Sequence, residues 1–92
     1  MTVYVVVLRE FEEQDEVEFG PGDGITIVGV YESRTKAKKV AKSEFEFLMY
    51  QVDGGFEFDE ETYWNKELQS YIFDEFEISI KEAEFPNFPA NK

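Results

Sequence analysis

The chain has no cysteine, no histidine, only three prolines and only nine basic residues in its 92. The first two absences remove disulfides, thiolate nucleophiles, the common zinc-ligand sets, Ser-His and Cys-His pairs and imidazole acid–base catalysis. They argue against an ordinary metabolic enzyme and predict neither a cofactor nor a metal centre. Against the nine bases stand 21 acidic residues, a formal net charge of -12. A surface of that sign repels phosphates and anionic headgroups, so direct nucleic-acid or membrane binding through it is disfavoured and basic protein surfaces are the natural partners. Long apolar runs are also missing. Val3 to Leu8 is far below the ~20 residues of a membrane span, is too short for a secretory h-region, and follows no basic residue. These features predict a soluble, cytoplasmic protein.

What the chain does contain is enough apolar material for one core: 42% hydrophobic and 17% aromatic residues, ten of them Phe. A chain of this size buries about 60–65% of its unfolded surface, which supports a single domain and no more. Thr2 to Arg9 is dense in β-branched residues and apolar on both alternating sets, the pattern of a strand covered on both faces. Ile25 to Tyr31 predicts a second strand, joined to the first by an acidic run over Glu10–Glu18 and a Gly/Pro loop over 19–24. Ser33 is an expected N-cap for a helix from Arg34 to about Val52, whose Ala37, Ala41, Phe45 and Met49 repeat every four residues. Gly54-Gly55 is expected to end it in a left-handed cap. Asp59 can start a short second helix through Leu68, with a strand over Phe56–Phe58 as the alternative.

Tyr71 to Ile80 predicts a third strand, with Ile72, Phe76, Ile78 and Ile80 on one face and Tyr71, Phe73, Glu75, Glu77 and Ser79 on the other. The expected fold is therefore α+β, a three-stranded, mainly antiparallel sheet of order 2-1-3 carrying one long helix. Its domain spans residues 1–82, and 83–92 form an extended tail around Phe85-Pro86 and Phe88-Pro89. The expectation leaves Tyr4, Val6, Leu8, Tyr71 and Phe73 on the face opposite the helix. The candidate covers are the 56–70 segment, the tail, or a second copy of the chain.

Charge is unevenly distributed. Residues 33–42 carry Arg34, Lys36, Lys38, Lys39 and Lys42 and no acid; the remainder holds 4 basic and 21 acidic residues, a local charge of -17. The basic decapeptide has three readings: internal neutralisation by the acidic 10–18 run or by the acids of the third strand, an anion or phosphate site on Arg34, Lys36, Lys38 and Lys39, or exposed solubilising charge. The acids concentrate in Glu10–Glu18, in Glu57–Glu61 and in Asp74–Glu84. Acids at i and i+2 of a strand lie ~6.8 Å apart, close to a multiple of the 3.4 Å phosphate rise along one DNA strand.

The segments Val3-Tyr-Val-Val, Ile27-Val-Gly-Val-Tyr-Glu-Ser-Arg-Thr-Lys-Ala37 and Phe73-Asp-Glu-Phe-Glu-Ile78 resemble small uncharacterised β-β-α-β domains carried by bacteria and their phages. The resemblance covers about half the chain, implies the fold and implies no activity. Charge and resemblance together lead to the expectation of a non-catalytic acidic protein that engages a basic, nucleic-acid-binding protein surface, in its sharpest form a nucleic-acid-mimic inhibitor. The expected contact residues are Glu12, Glu13, Asp15, Glu16, Glu18, Glu75 and Glu77. The alternatives are an interaction module, homodimeric through the open sheet face, whose acids serve solubility, and anion binding at the helix start.

Overall fold

The computed structural model describes residues 1–11 and 24–84. Their elements in chain order are β1 (Thr2–Glu10), β2 (Gly24–Tyr31), α1 (Arg34–Val52), α2 (Glu60–Tyr63), β3 (Trp64–Asn65), β4 (Ser70–Phe73) and β5 (Phe76–Glu84). The strands form one sheet in the order β2-β1-β5-β4-β3, antiparallel at every pairing. The β-branched run of β1 pairs on both sides, with β2 and β5, so β2 and β5 run parallel to each other with β1 between them. That is the expected arrangement of three strands.

The sheet nevertheless has five strands, not three. Tyr71 to Ile80 is a hairpin: Phe73 pairs with Phe76 and Tyr71 with Ile78 around the two-residue connection Asp74-Glu75. β3 extends this layer by pairing Trp64 with Tyr71. The hairpin changes which residues share a face. Across a two-residue connection the alternation inverts, so Tyr71 and Phe73 join Phe76, Ile78 and Ile80, whereas Ile72 goes to the opposite side. β5 also pairs Glu84 with Thr2, two residues past the expected domain end at 82. The remainder of the Phe-Pro tail, residues 85–92, lies outside the described residues.

α1 begins and ends at the expected residues. Ser33 Oγ accepts a hydrogen bond from Lys36 N–H at 3.1 Å, satisfying a donor that the first turn would otherwise leave orphaned. The stop is not the left-handed glycine cap expected, because neither Gly54 nor Gly55 has a positive φ. Asp53 ends the helix instead. Its N–H donates to Met49 C=O at 2.8 Å, its carbonyl accepts from Phe56 N–H at 3.0 Å, and its carboxylate accepts from Gly55 N–H at 3.0 Å. Asp59 caps α2 as expected, accepting from Glu61 N–H, but that helix stops at Tyr63 because Trp64 and Asn65 are drawn into the sheet.

The helix covers the face that carries Tyr4, Val6, Leu8, Tyr71, Phe76, Ile78 and Ile80, as expected for Phe76, Ile78 and Ile80 and contrary to expectation for Tyr4, Val6, Leu8 and Tyr71. Inverting the alternation collects the bulkiest rings on this one face, and the helix buries the larger apolar volume. Ala37 and Ala41 bring the helix close, while Phe45 and Met49 fill the space beyond. Phe45 is the hub. Its ring centroid lies 5.3 to 6.4 Å from those of Phe56, Phe58, Tyr63, Tyr71 and Phe76, edge-on to three of them. Val5, Val7, Ile25, Ile27, Val30 and Ile72 belong by register to the opposite face.

Candidate functional site

The register fixes where charge collects. β1 ends at Glu10, which pairs with Gly24 on one side and Phe76 on the other. The next residue, Phe11, donates its N–H to Glu75 C=O at 3.0 Å. β1 therefore ends beside the exposed Asp74-Glu75 turn, and Phe11 and Gly24 both stand at this same end. Glu10, Asp74 and Glu75 are exposed there. Five expected contact residues, Glu12, Glu13, Asp15, Glu16 and Glu18, lie outside the described residues.

Glu75 and Glu77 do not form the exposed i, i+2 row expected of one strand, because Glu75 stands in the turn and Glu77 in β5. Glu77 is only 18% exposed; it accepts from Ser70 Oγ at 2.8 Å and faces an Arg9 nitrogen at 3.9 Å. The Arg9 guanidinium in turn lies 5.2 Å from the Phe11 ring centroid. Glu77 thus braces the sheet beneath the acidic end rather than facing outward.

The basic cluster sits at the opposite end of the strands. β2 leaves the sheet at Tyr31, paired with Tyr4, and α1 starts three residues later. Two of its cations are already engaged. Lys38 Nζ is 2.8 Å from Glu60 Oε2 and 4.2 Å from the Trp64 ring centroid, and Lys42 Nζ is 4.8 Å from that of Phe58. Arg34, Lys36 and Lys39 are exposed and make no ion pair among the described residues. A cleft of about 280 Å³ runs between Arg34, Lys38, Lys39 and Lys42 on the helix and Glu60 and Tyr71 opposite.

At its floor the Tyr71 hydroxyl donates to Glu60 Oε1 at 3.1 Å. Burial, and after it the Glu60 charge and hydrogen bond, hold the Tyr71 phenol well above its ordinary ionisation range. It is a fixed donor near neutral pH, not a base or a nucleophile. Lys38 is thus neutralised internally, but by Glu60 of the 57–61 patch and not by the 10–18 run or the strand-three acids that the sequence pointed to. Sequence reasoning did not single out Glu60, because only the tertiary fold brings α2 against the start of α1.

Among the described residues no group of three or more acidic side chains is disposed to hold a metal ion. Among the described residues no helix is long and apolar enough to cross a membrane. No protein-family model matches the chain, and no curated protein or solved structure is significantly similar to it.

Proposed function

We propose that this chain is a non-catalytic acidic binding protein whose sheet end around Glu10, Asp74 and Glu75 docks on a basic protein surface. The supporting observation is the hydrogen bond from Phe11 N–H to Glu75 C=O. It sets Glu10 and Phe11, which lead into the acidic sequence 12–18, beside an acidic turn more than sixty residues away in sequence. Two acidic patches separated along the chain share one end of the sheet, and charges focused in this way steer a cationic partner and speed its capture. Glu77, Arg9 and Phe11 contribute by bracing that end, not by contact. Obstruction of nucleic-acid access on the partner is the sharper form of this reading, since the surfaces most complementary to such an end are those built for phosphates. The basic cleft is not proposed as an anion site, because Lys38 is neutralised by Glu60 and Lys42 packs on Phe58.

The test is the triple reversal Glu10→Lys, Asp74→Lys, Glu75→Lys. Wild-type protein on a support is expected to retain basic proteins from a lysate at low salt and release them at high salt, and those proteins are expected to lose DNA binding in its presence. At roughly 0.5–1 kcal/mol per exposed charge contact, the triple variant should hold them at least about tenfold more weakly. Retention indifferent to the reversal, or to salt, rejects the reading.

A further inference from the structure

One valine stands apart from the core. Val3 is only 4% exposed, yet it does not belong to the cluster beneath α1. Val6, Leu8, Ile78 and Ile80 face the helix, so the odd-numbered residues of β1 and β5, Val3 and its partner Ala83 among them, face the opposite way. On that face Ile25 and Ile27 of β2 are 66% and 61% exposed. α1 and the rings of Phe56, Phe58 and Tyr63 all pack on the other face. Strand neighbours do not account for the burial of Val3. Val5 and Val7 have β2 on one side and β5 on the other and are only half-buried, whereas the pairing of β1 with β2 stops at Tyr4 and leaves Val3 with β5 alone. Because Val3 is buried within one copy of the chain, its cover belongs to that same chain.

Two segments lie outside the described residues, and only one of them starts beside Val3. The 12–23 segment joins the Glu10 end of β1 to the Gly24 end of β2. Out and back it reaches about 20 Å at full extension, whereas Val3 lies about 24 Å along β1 from Glu10. Residues 85–92 follow β5 directly after the pairs Val3–Ala83 and Thr2–Glu84, and a segment of that length reaches about 26 Å. We infer that residues 85–92 fold back across the open face as a strap, with Phe85 seated on Val3 and Phe88 on Val5. The alternation of β5 puts position 85 on this face, after 81 and 83. Pro86 has no N–H with which to continue the ladder, and Pro-Asn at the two central positions of Phe85-Pro86-Asn87-Phe88 is β-turn chemistry that reverses the chain. Two Phe rings laid over β1 and β5 remove from water an apolar strip that the helix cannot reach. A strap on these strands stops short of β2, in keeping with the exposure of Ile25 and Ile27. This inference does not rest on the acidic end's having a basic partner, and it closes the face through which a homodimer would form.

Nuclear Overhauser contacts in the wild-type chain are expected between the Phe85 and Phe88 rings and the methyl groups of Val3 and Val5, with intensities that do not change on dilution. Phe85→Ser with Phe88→Ser should move the Val3 and Val5 methyl resonances while those of Ile78 and Ile80, beneath the helix, stay in place. The same double variant should raise the unfolding equilibrium constant about tenfold or more, with the far-ultraviolet circular dichroism of the folded chain unchanged. Phe47→Ser removes an exposed ring on the helix and should leave the Val3 and Val5 resonances where they are. Absence of the ring–methyl contacts overturns the inference, as do Val3 and Val5 resonances indifferent to the double substitution. Contacts that fade on dilution also overturn it, because the rings would then belong to a second copy.

Discussion

Replacing Phe45 by Ala tests the packing that holds both charged ends in place. The side chain is fully buried, and its ring meets five other aromatic rings contributed by the 56–63 segment, β4 and β5. Removing a buried Phe ring costs about 3–5 kcal/mol, and the cost rises with the cavity that the surroundings cannot fill. Collapse is hindered here because the walls belong to a helix, two strands and a capped segment that are each fixed by backbone hydrogen bonds. The upper half of that range is therefore expected. A domain of this length has a total stability of about 5–14 kcal/mol, so the variant would lose more than about a quarter of it. At about 4–8 °C per kcal/mol, the midpoint should fall by at least ~16 °C. Urea unfolding followed by circular dichroism, with the denaturant slope fitted for both proteins, measures the loss directly. Phe45→Leu, which retains most of the volume, should cost about 1–1.5 kcal/mol. A loss below about 1 kcal/mol for Phe45→Ala at an unchanged slope would refute the assignment of Phe45 as the hub.

Other consequences are local. A Cβ at Gly29 would stand 2.3 Å from the Tyr31 hydroxyl oxygen, so Gly29→Ala must displace that ring; it should cost about 1 kcal/mol alone and much less in a Tyr31→Ala background, a coupling that a double-mutant cycle reads. The neutral phenol of Tyr71 is favoured in the folded chain, so its contribution to stability is complete below the ordinary tyrosine value of 10.0 and is lost as pH rises beyond it towards the higher folded value. Unfolding midpoints measured across the alkaline range should therefore fall less steeply in Tyr71→Phe than in wild type. Lys38→Met removes the ion pair with Glu60 and the contact over Trp64, both partly exposed, and should destabilise by about 1 kcal/mol in chemical denaturation.

The helix could be read directly because its signals are local: a Ser33 cap and a four-residue apolar repeat from Ala37 to Met49. The β4–β5 hairpin could not. Its connection is Asp74-Glu75, with neither residue at positive φ, and it lacks the Asn-Gly or Asp-Gly chemistry by which tight hairpins are recognised. With aromatic residues on both sides of it, the stretch reads as one strand, and the inverted alternation exchanges the faces assigned to Tyr71 and Ile72. The helix stop shows the same limit on a smaller scale, since two glycines suggested a left-handed cap while the Asp53 carboxylate does the work. For the site, composition separated basic from acidic residues. Only the register of β1 with β2 and β5 sets Glu10 and the Asp74-Glu75 turn at the end of the strands opposite the basic helix start, and only the tertiary fold withdraws Glu77 and Lys38 into internal contacts.

The claim that function resides at the Glu10 and Asp74-Glu75 end is tested most directly by following backbone amide resonances while deca-lysine is added. The acidic residues are spread over several surfaces, so a uniformly charged globule and a focused site respond differently. Shifts concentrated at Glu10, Phe11 and Asp74 to Phe76, diminished by salt and absent from Glu57 to Glu61 and Glu82 to Glu84, are the predicted result. Equal shifts at all the acidic segments, or shifts that spare the Asp74-Glu75 turn, would contradict it.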